Sequence, residues 1–356
     1  MSVLQISAGK KALDTIKKEG WSSDLFGAFL GASGGPKWFV LAGLDKVMFS
    51  EFLDKRSSPI DVMGSSAGAF RAACFSQTDS AAAIERLATH YSTTVYSEKP
   101  GAQEITAKGY ELLGKMLGPR GIEESLSQQY KNTHFFVQHC HGLVASENKL
   151  AQMAGLSVAA AKNALNRRGI AKHFTRAVFS VRPNTQLFSD PEDFPTDFYE
   201  LTHQNYVPAL MASGSIPVVL EGIKDIPGAK SGMYRDGGII DYHFDLQIST
   251  NKLVMYPHFY NKPIPGWFDK NLKKRRCHNS SYDNVVMLSP SAEFVSKLPY
   301  GKIPDRKDFE TMPAEQRISY WRKVISESDR LAEAFLALVS GEQGLEQISP
   351  LILDRK

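Results

Sequence analysis

Short apolar runs alternate with stretches of helical spacing near the start of the chain. Phe26–Leu30 and Pro59–Met63 are the first two apolar runs, and each is followed by a glycine-rich turn. Helical patterns then begin at Pro36, running to Phe49, and at Ala67, running to Ser76. A proline suits the first turn of a helix because its missing N–H would have no partner there. Strands that alternate with helices in this way are typical of parallel α/β units.

Three later runs also have strand character: His134–Cys140, Ala177–Val181 and Leu253–Tyr256. Together with the first two strands they predict an α/β fold, a three-layer α/β/α sandwich around a mainly parallel sheet. We expect additional helices around this core. At 356 residues the chain is long enough for one large domain, which we expect to span residues 1–356.

Three longer regions are predicted to be helical. Residues 80–126 are polar and helical, with breaks at two Pro/Gly pairs, and form a candidate cap. Residues 151–166 are rich in small side chains and read as one helix. Residues 313–340 carry apolar side chains at helical spacing and end before Gly341, which predicts one C-terminal packing helix.

The composition is that of an ordinary globular protein, with 42% hydrophobic and 22% charged residues. A net charge of +4 falls short of the basic patches that nucleic-acid binding requires, so we expect no nucleic-acid partner. Cys74, Cys140 and Cys277 are too few and too scattered for a disulfide framework or a zinc site. The N-terminus lacks a signal-peptide pattern, and no apolar run approaches the ~18 residues of a membrane span. These features predict a cytoplasmic protein.

Two serines stand in glycine-flanked turns directly after the first two strands. Ser33 lies in Gly31-Ala32-Ser33-Gly34-Gly35, and Ser66 lies in Gly64-Ser65-Ser66-Ala67-Gly68. Both match the G-x-S-x-G spacing of a nucleophile elbow, in which a strand reverses sharply into a helix and exposes the serine hydroxyl. One small domain needs only one such elbow. One of the two serines must therefore have another role.

An acidic turn and a serine-containing segment follow much later in the chain. Asp236 precedes two glycines in Tyr234-Arg235-Asp236-Gly237-Gly238, and Asp-Gly pairs commonly form tight turns for local reasons alone. About twenty residues earlier stands Ala212-Ser213-Gly214-Ser215-Ile216-Pro217. The order of these segments after the two serine turns favours a functional role for Asp236 over a simple turn.

In combination these four segments resemble the patatin-like phospholipase family, whose members carry a glycine-rich oxyanion loop, a G-x-S-x-G serine, an Ala-Ser-x-x-x-Pro segment and an Asp-Gly-Gly or Asp-Gly-Ala turn. The resemblance implies that Ser66 is the nucleophile and Asp236 its base, a dyad rather than a triad. It further implies an oxyanion hole at Gly34 and Gly35. The expected function is that of an acyl hydrolase that cleaves carboxylic esters of lipids through an acyl-serine intermediate, with no metal and no organic cofactor.

The chain departs from the family pattern within the first loop. Ser33 and Trp38 stand where the family usually has glycines, and Lys37 stands where it has an arginine. Lysine keeps the positive charge but lacks the planar fork of arginine. We assign Lys37 and Trp38 to substrate binding, with Trp38 either lining the acyl pocket or crowding it. The identity of the substrate headgroup therefore stays undecided. Acyl transfer and thioester cleavage also remain alternatives, because they use the same intermediate.

Two rival interpretations remain. The first is an α/β-hydrolase with a Ser-His-Asp triad, in which His243 or His258 would follow the acid in the required order. The second is a catalytically silent module that binds lipid or protein. Residues 258–276 interleave aromatic and basic side chains, which favours peripheral contact with an anionic membrane surface, although a solvated loop explains the pattern equally well.

Two further motifs are weaker. The loop from Gly31 to Lys37 lacks the second glycine and the Ser or Thr after lysine that a phosphate-binding loop needs. His139 and His141 face the same side of a predicted strand but have no nearby Asp or Glu in sequence to complete a metal site. We therefore predict a structural or pocket-lining role for these histidines.

Overall fold

The computed structural model describes residues 3–341 and 344–353, so the ends of the expected 1–356 domain lie outside the described residues. It confirms an α/β fold with a mostly parallel central sheet, in an arrangement consistent with three α/β/α layers. The strands are β1 (Leu4–Ala8), β2 (Phe26–Gly31), β3 (Ile60–Ser65), β4 (Lys131–Cys140), β5 (Phe174–Ser180), β6 (Phe188–Ser189), β7 (Thr196–Glu200), β8 (Ile223–Lys224), β9 (Met233–Asp236), β10 (Gln247–Ile248), β11 (Leu253–Pro257), β12 (Val285–Pro290) and β13 (Ile348–Pro350).

The central sheet follows the order β13-β1-β12-β11-β2-β3-β4-β5-β7, and β9 pairs with β4 beside this path. Its middle, from β12 through β11, β2 and β3 to β4, is parallel throughout. Antiparallel pairing occurs toward the margins, where β1 pairs with β12 and both β5 and β9 pair with β4. Four of the five predicted strands, β2, β3, β4 and β11, therefore lie in this parallel middle, and the fifth, β5, joins it antiparallel.

Twelve α-helices lie in the described part of the chain. They are α1 (Lys10–Glu19), α2 (Ala42–Val47), α3 (Ala67–Phe75), α4 (Ser80–Ser92), α5 (Ala102–Leu117), α6 (Gly121–Ser127), α7 (Lys149–Leu165), α8 (Tyr206–Gly214), α9 (Ala292–Lys297), α10 (Asp308–Thr311), α11 (Ala314–Glu327) and α12 (Asp329–Val339). The segment expected to form a cap thus contains α4, α5 and α6, and its side chains line part of the main cleft.

Two helical predictions need correction. The helix expected from Pro36 begins as a 3₁₀ helix, Gly35–Leu41, and becomes α-helical only in α2. The single helix expected over 313–340 is two helices, α11 and α12, broken at Ser328. The Ser328 hydroxyl donates to the carbonyl of Ile325 at 2.5 Å and accepts from the amide of Gly43 at 2.8 Å. A side chain that bonds to the backbone competes with the helical ladder, and here it also docks the break onto α2.

A buried ion pair holds the helix that follows the Ser66 turn. Arg71 of α3 donates from Nε and Nη2 to the two carboxylate oxygens of Asp45 in α2, at 2.6 and 2.7 Å, and both side chains are fully buried. The guanidinium also lies over the ring of Phe29 in β2, 5.4 Å from its centroid. The bidentate ion pair and the contact with the ring hold α3 against the neighbouring helix and strand.

Replacing Asp45 should destabilise the protein strongly. The substitution Asp45→Asn leaves the Arg71 charge buried without a counter-ion, which typically costs about 3–5 kcal/mol in the free energy of unfolding. Urea unfolding measures the loss. Glu111→Gln is the control, because Glu111 pairs with Lys108 and Lys115 at the surface and its loss should change the free energy of unfolding little. Equal effects of the two substitutions would contradict the structural role of the buried pair.

Candidate active site

Ser66 occupies a sharp turn between β3 and α3. Its backbone angles, φ 55° and ψ −125°, lie in a region that residues other than glycine rarely adopt. The glycines around it are sterically required. A Cβ at Gly64 would lie 2.3 Å from the carbonyl oxygen of Gly68, and one at Gly68 would lie 1.8 Å from the carbonyl oxygen of Gly31. The turn therefore has elbow geometry, and its backbone packs directly on the first glycine-rich loop.

The structure brings Ser66 and Asp236 into direct contact. The Ser66 hydroxyl donates to Oδ2 of Asp236 at 2.8 Å, while Oδ1 accepts from the amide of Gly238 at 2.7 Å. Strand β4 brings Ser66 and Asp236 together, because its residue Phe136 pairs with the last residue of β3 and the next residue, Val137, pairs with Asp236. Asp236 is buried, and this burial raises the pKa of its carboxyl, although the hydrogen bonds from Ser66 and Gly238 oppose the rise.

The segment Ala212–Pro217 holds the backbones of both residues in place. The Ser213 hydroxyl accepts from the amide of Ser66 at 2.9 Å and donates to the carbonyl of Phe136 at 2.8 Å. The carbonyl of Ser215 accepts from the amide of Asp236 at 3.1 Å. The sequence pointed to this segment only through its resemblance to a family motif, and the structure supplies the physical reason, which is positioning.

Ser33, the other elbow serine, has a different environment. It is buried, and its hydroxyl pairs with the Ser65 hydroxyl at 2.9 Å and with the Ser65 carbonyl at 3.2 Å. Its amide donates to the carbonyl of Tyr242. Ser33 thus ties the first loop to the Ser66 turn, and neither of its recorded side-chain partners is a base.

Gly34 and Gly35 line the same cleft as Ser66. Gly35 has φ 55°, which favours glycine, and a Cβ at Gly34 would lie 2.5 Å from the ring of Phe259. Ala67 also lines the cleft and is the first residue of α3, so its amide has no acceptor within the helix. The residue after an elbow serine is a common oxyanion donor, and that rule could have identified Ala67 from the sequence.

The two residues assigned to substrate binding lie in different environments. Lys37 lines the cleft and forms an ion pair with Asp305; burial, followed by the charge of Arg306, lowers its pKa to about 8. Trp38 is fully buried and packs on Phe39, with ring centroids 5.2 Å apart. The 3₁₀ turn places Trp38 in the core, where it has no surface to offer a substrate. The expectation that it lines the acyl pocket is not met.

Two cations near Asp236 were missed by the sequence analysis. Arg306 and Lys270 both line the cleft, and their charges act to lower the pKa of Asp236 against the effect of burial. Desolvation, followed by the charge of Arg306, lowers the pKa of Lys270 to about 7, although the residue remains exposed to water in the cleft. Arg306 belongs to no motif, and Lys270 lies in the aromatic and basic stretch 258–276, which the sequence linked to a membrane surface and not to this site.

Neither of the histidines considered for a triad forms a hydrogen bond with Ser66 or Asp236. His243 and His258 are fully buried and pack on each other with ring centroids 4.2 Å apart. Nδ1 of His243 accepts from the amide of Ile264 at 2.8 Å. Burial lowers the pKa of His243 well below its usual value and that of His258 to about 3, so both are neutral. Ser66 therefore reaches its carboxylate partner without an intervening imidazole.

His139 and His141 pack against each other, with ring centroids 4.6 Å apart. His139 also stacks on Tyr234, and His141 pairs with the hydroxyl of Thr175 at 2.9 Å. Within the described residues, no group of three His, Cys, Asp or Glu side chains is placed to hold a metal ion.

A large cleft surrounds Ser66 and Asp236. It has a volume of about 1570 Å³, which exceeds the usual size of a small-molecule pocket. Its wall includes the charged side chains Lys37, Glu98, Lys108, Lys270, Arg306 and Glu310. It also includes the apolar side chains Ile105, Leu112, Leu156, Met211, Ile216 and Phe268.

Comparison with protein-family models, with curated proteins and with solved structures finds no significant match. The family resemblance therefore rests on the four short segments and on the geometry described above. Among residues 3–341 and 344–353, none of the helices combines the length and hydrophobicity needed to cross a bilayer.

The strained backbone at Ser66 generates a prediction that is independent of catalysis. Ser66→Gly should be more stable than Ser66→Ala, because glycine adopts a positive φ freely and alanine does not. A difference on the order of 1 kcal/mol in the free energy of unfolding is expected, measured by urea unfolding. A more stable alanine variant would mean that this turn is not strained.

Proposed function

We propose that the protein is a patatin-like acyl hydrolase that cleaves carboxylic esters of lipids with a Ser66–Asp236 dyad. The observation that carries the proposal is the direct hydrogen bond of 2.8 Å between the Ser66 hydroxyl and the Asp236 carboxylate. A serine hydroxyl needs an adjacent proton acceptor to act as a nucleophile, and this carboxylate is buried and oriented by Gly238. The adjacent glycine-rich loop and the apolar cleft support an acyl substrate.

The proposed reaction has two halves. Ser66 Oγ attacks the ester carbonyl carbon while Asp236 accepts its proton, giving a tetrahedral intermediate. Asp236 then returns that proton to the departing alkoxide, leaving an acyl-serine. In the second half, Asp236 takes a proton from water as the water oxygen bonds to the acyl carbon. The bond between that carbon and Ser66 Oγ then breaks, Asp236 returns the proton to Oγ, and the fatty acid leaves. Each step uses the same carboxylate as base and then as acid.

The developing oxyanion would be stabilised by backbone amides and nearby cations. Gly34 and Gly35 from the first loop and Ala67 at the start of α3 line the cleft beside Ser66. Such donors cost no reorganisation when charge develops, and removing one typically lowers turnover on the order of 10²–10³. Lys37, Lys270 and Arg306 also line the cleft, and they lie close enough for their charges to influence one another.

An acyl lipid is the substrate class that fits the cleft. Its volume of about 1570 Å³ would accommodate a long chain, and apolar side chains on its wall, such as Ile105, Leu112 and Phe268, would contact that chain. The cations near Asp236 would face the polar end of such a molecule. Acyl transfer to an alcohol and thioester cleavage would use the same acyl-serine.

Covalent labelling tests the nucleophile. A fluorophosphonate probe should label the wild-type chain on Ser66 and should not label Ser66→Ala. Ser33→Ala, which changes the other elbow serine, should still be labelled because Ser33 is buried and bonded to Ser65. Gel fluorescence and peptide mass spectrometry measure the label. Labelling that survives in Ser66→Ala, or that maps to Ser33, would refute the assignment; a wild type without label would favour the silent binding module.

Asp236→Asn should abolish ester hydrolysis and stabilise the fold. An amide cannot accept the serine proton, so kcat should fall to background. Because burial raises the pKa of Asp236, the ionised carboxylate is less favourable in the folded state than in the unfolded state. The wild type should therefore lose stability as pH rises through that pKa. At neutral pH the variant should have the higher Tm, and the difference should shrink toward acid pH.

The pH profile separates this dyad from a histidine-dependent site. Hydrolysis by the wild type should fall at acid pH as Asp236 itself is protonated, at a pH that burial raises above the ordinary carboxyl range, and changes to the histidines should not move this acid limb. Stopped assays of kcat/KM against pH measure this. His243→Ala and His258→Ala should retain most activity in their folded fraction. A histidine variant as inactive as Ser66→Ala would restore the triad interpretation.

A further inference from the structure

One side of helix α7 is apolar and exposed to water. Leu150, Met153, Val158 and Leu165 are 79%, 47%, 47% and 90% exposed, and we call them the α7 apolar face. They lie on one side of the helix, and the exposed positions between them are Ala154, Ser157, Ala161 and Ala164. The 17 residues of α7 include no acidic side chain. Four large apolar side chains grouped in this way form a patch rather than scattered exceptions.

The fold does not need this face, because α7 is anchored by its other side. Leu156 and Ala159 pack in the small core cluster with Trp267 and Phe268. The Gln152 side chain donates to the carbonyl of Ser146 at 2.8 Å and accepts from the amide of Val218 at 2.6 Å. Since these contacts hold the helix, the exposed apolar face is available to another partner.

The α7 apolar face lies at the edge of the main cleft. Leu156, Ser157 and Ala160 of the same helix line the cleft, and Ser157 is exposed. Val219, which follows the Ala212–Pro217 segment, also lines the cleft and is exposed. A surface that covered the face of α7 would therefore also meet the opening to the Ser66–Asp236 pair.

A basic segment adjoins the C-terminal end of α7. Residues 270–276 contain five lysines and arginines and no acid. Arg275 joins this segment to the helix by donating from Nη2 to the carbonyl of Asn163 at 2.8 Å, and Lys273 and Lys274 are exposed. The aromatic and basic stretch noted in the sequence is thus continuous with the apolar face.

We propose that the α7 apolar face and the basic segment 270–276 dock on an anionic lipid bilayer, with the apolar side chains in the acyl boundary and Lys273 and Lys274 at the headgroups. An apolar helix face next to lysines and arginines suits the interface of an anionic membrane. A second copy of the chain suits it less, because a symmetric contact would bring two basic segments together with no acid on α7 to neutralise them.

Membrane docking would explain how the proposed hydrolase reaches its substrate. Only this consequence rests on the proposed function. A cleft that opens against the bilayer would receive an acyl ester directly from the membrane, without the cost of moving its chain through water. The membrane contact itself does not depend on Ser66 or Asp236. The two proposals are therefore separable by experiment.

Vesicle co-sedimentation of the full chain tests the docking surface. The wild type should bind phosphatidylcholine vesicles that contain phosphatidylserine, and should bind more weakly to phosphatidylcholine alone or at high salt. The double change Leu150→Glu with Leu165→Glu should weaken binding at least about tenfold, since it removes two leucines that would insert into the bilayer and adds negative charge. Ile352→Glu is the matched control, because Ile352 is equally exposed but follows β13 at the other edge of the sheet.

A charge reversal gives the second comparison. Lys273→Glu with Lys274→Glu should also weaken binding about tenfold at low salt, whereas Lys17→Glu with Lys18→Glu on α1 should not. Hydrolysis of a water-soluble short-chain ester should be unchanged in all four variants, while hydrolysis of vesicle lipid should fall with binding. Vesicle binding without any ester hydrolysis would leave docking intact and refute the proposed function.

Three results would overturn the docking proposal. The first is a wild type that stays in the supernatant with phosphatidylserine vesicles, even when it hydrolyses the soluble ester. The second is a double leucine variant that binds as well as Ile352→Glu. The third is a wild-type dimer, seen by analytical ultracentrifugation, that the double leucine change dissociates, because a second copy would then cover the face.

Discussion

The pairing of two strands with β4 sets the distance between Ser66 and Asp236, and the rest of the candidate site is arranged around that distance. Phe136 pairs with the end of β3, and the next residue, Val137, pairs with Asp236 on β9. A shift of β9 by one residue would turn the aspartate to the other face of the sheet. The Ala212–Pro217 segment and the Gly31–Gly68 backbone contact then keep both loops on this frame.

The site collects features that are individually unfavourable for stability. Ser66 has a positive φ, and Asp236 is a buried carboxylate whose pKa is raised. Strain and burial of this kind persist only where the surroundings impose them. Here the surroundings include the fully buried pair of Asp45 and Arg71, which clamps α3 behind the turn. Proteins often lose some folding stability at a functional site, and the strain and burial at this candidate site fit that pattern.

Local sequence patterns predicted the elements whose structure depends on residues that are close in sequence. The strands at the centre of the sheet and the elbow at Ser66 follow from apolar runs and glycine spacing, and the structure contains them. The partner of Ser66 depends on the pairing of β9 with β4, which periodicity does not reveal, so only the family resemblance pointed to Asp236. Trp38 was assigned to substrate binding from its place in the first loop, and the folded chain buries it in the core. Lys270 was noted only as part of the basic stretch 258–276 and Arg306 belongs to no motif, so only the folded chain brings the two residues to the cleft.

The separation of 170 residues between Ser66 and Asp236 has a consequence for biosynthesis. The ribosome delivers the serine, its elbow and the first glycine-rich loop long before it delivers the acid. Until β9 is made and pairs with β4, the hydroxyl of Ser66 has no carboxylate beside it. If the dyad acts as proposed, a nascent or truncated chain would therefore be chemically inert, and the appearance of reactivity would report that the sheet is complete.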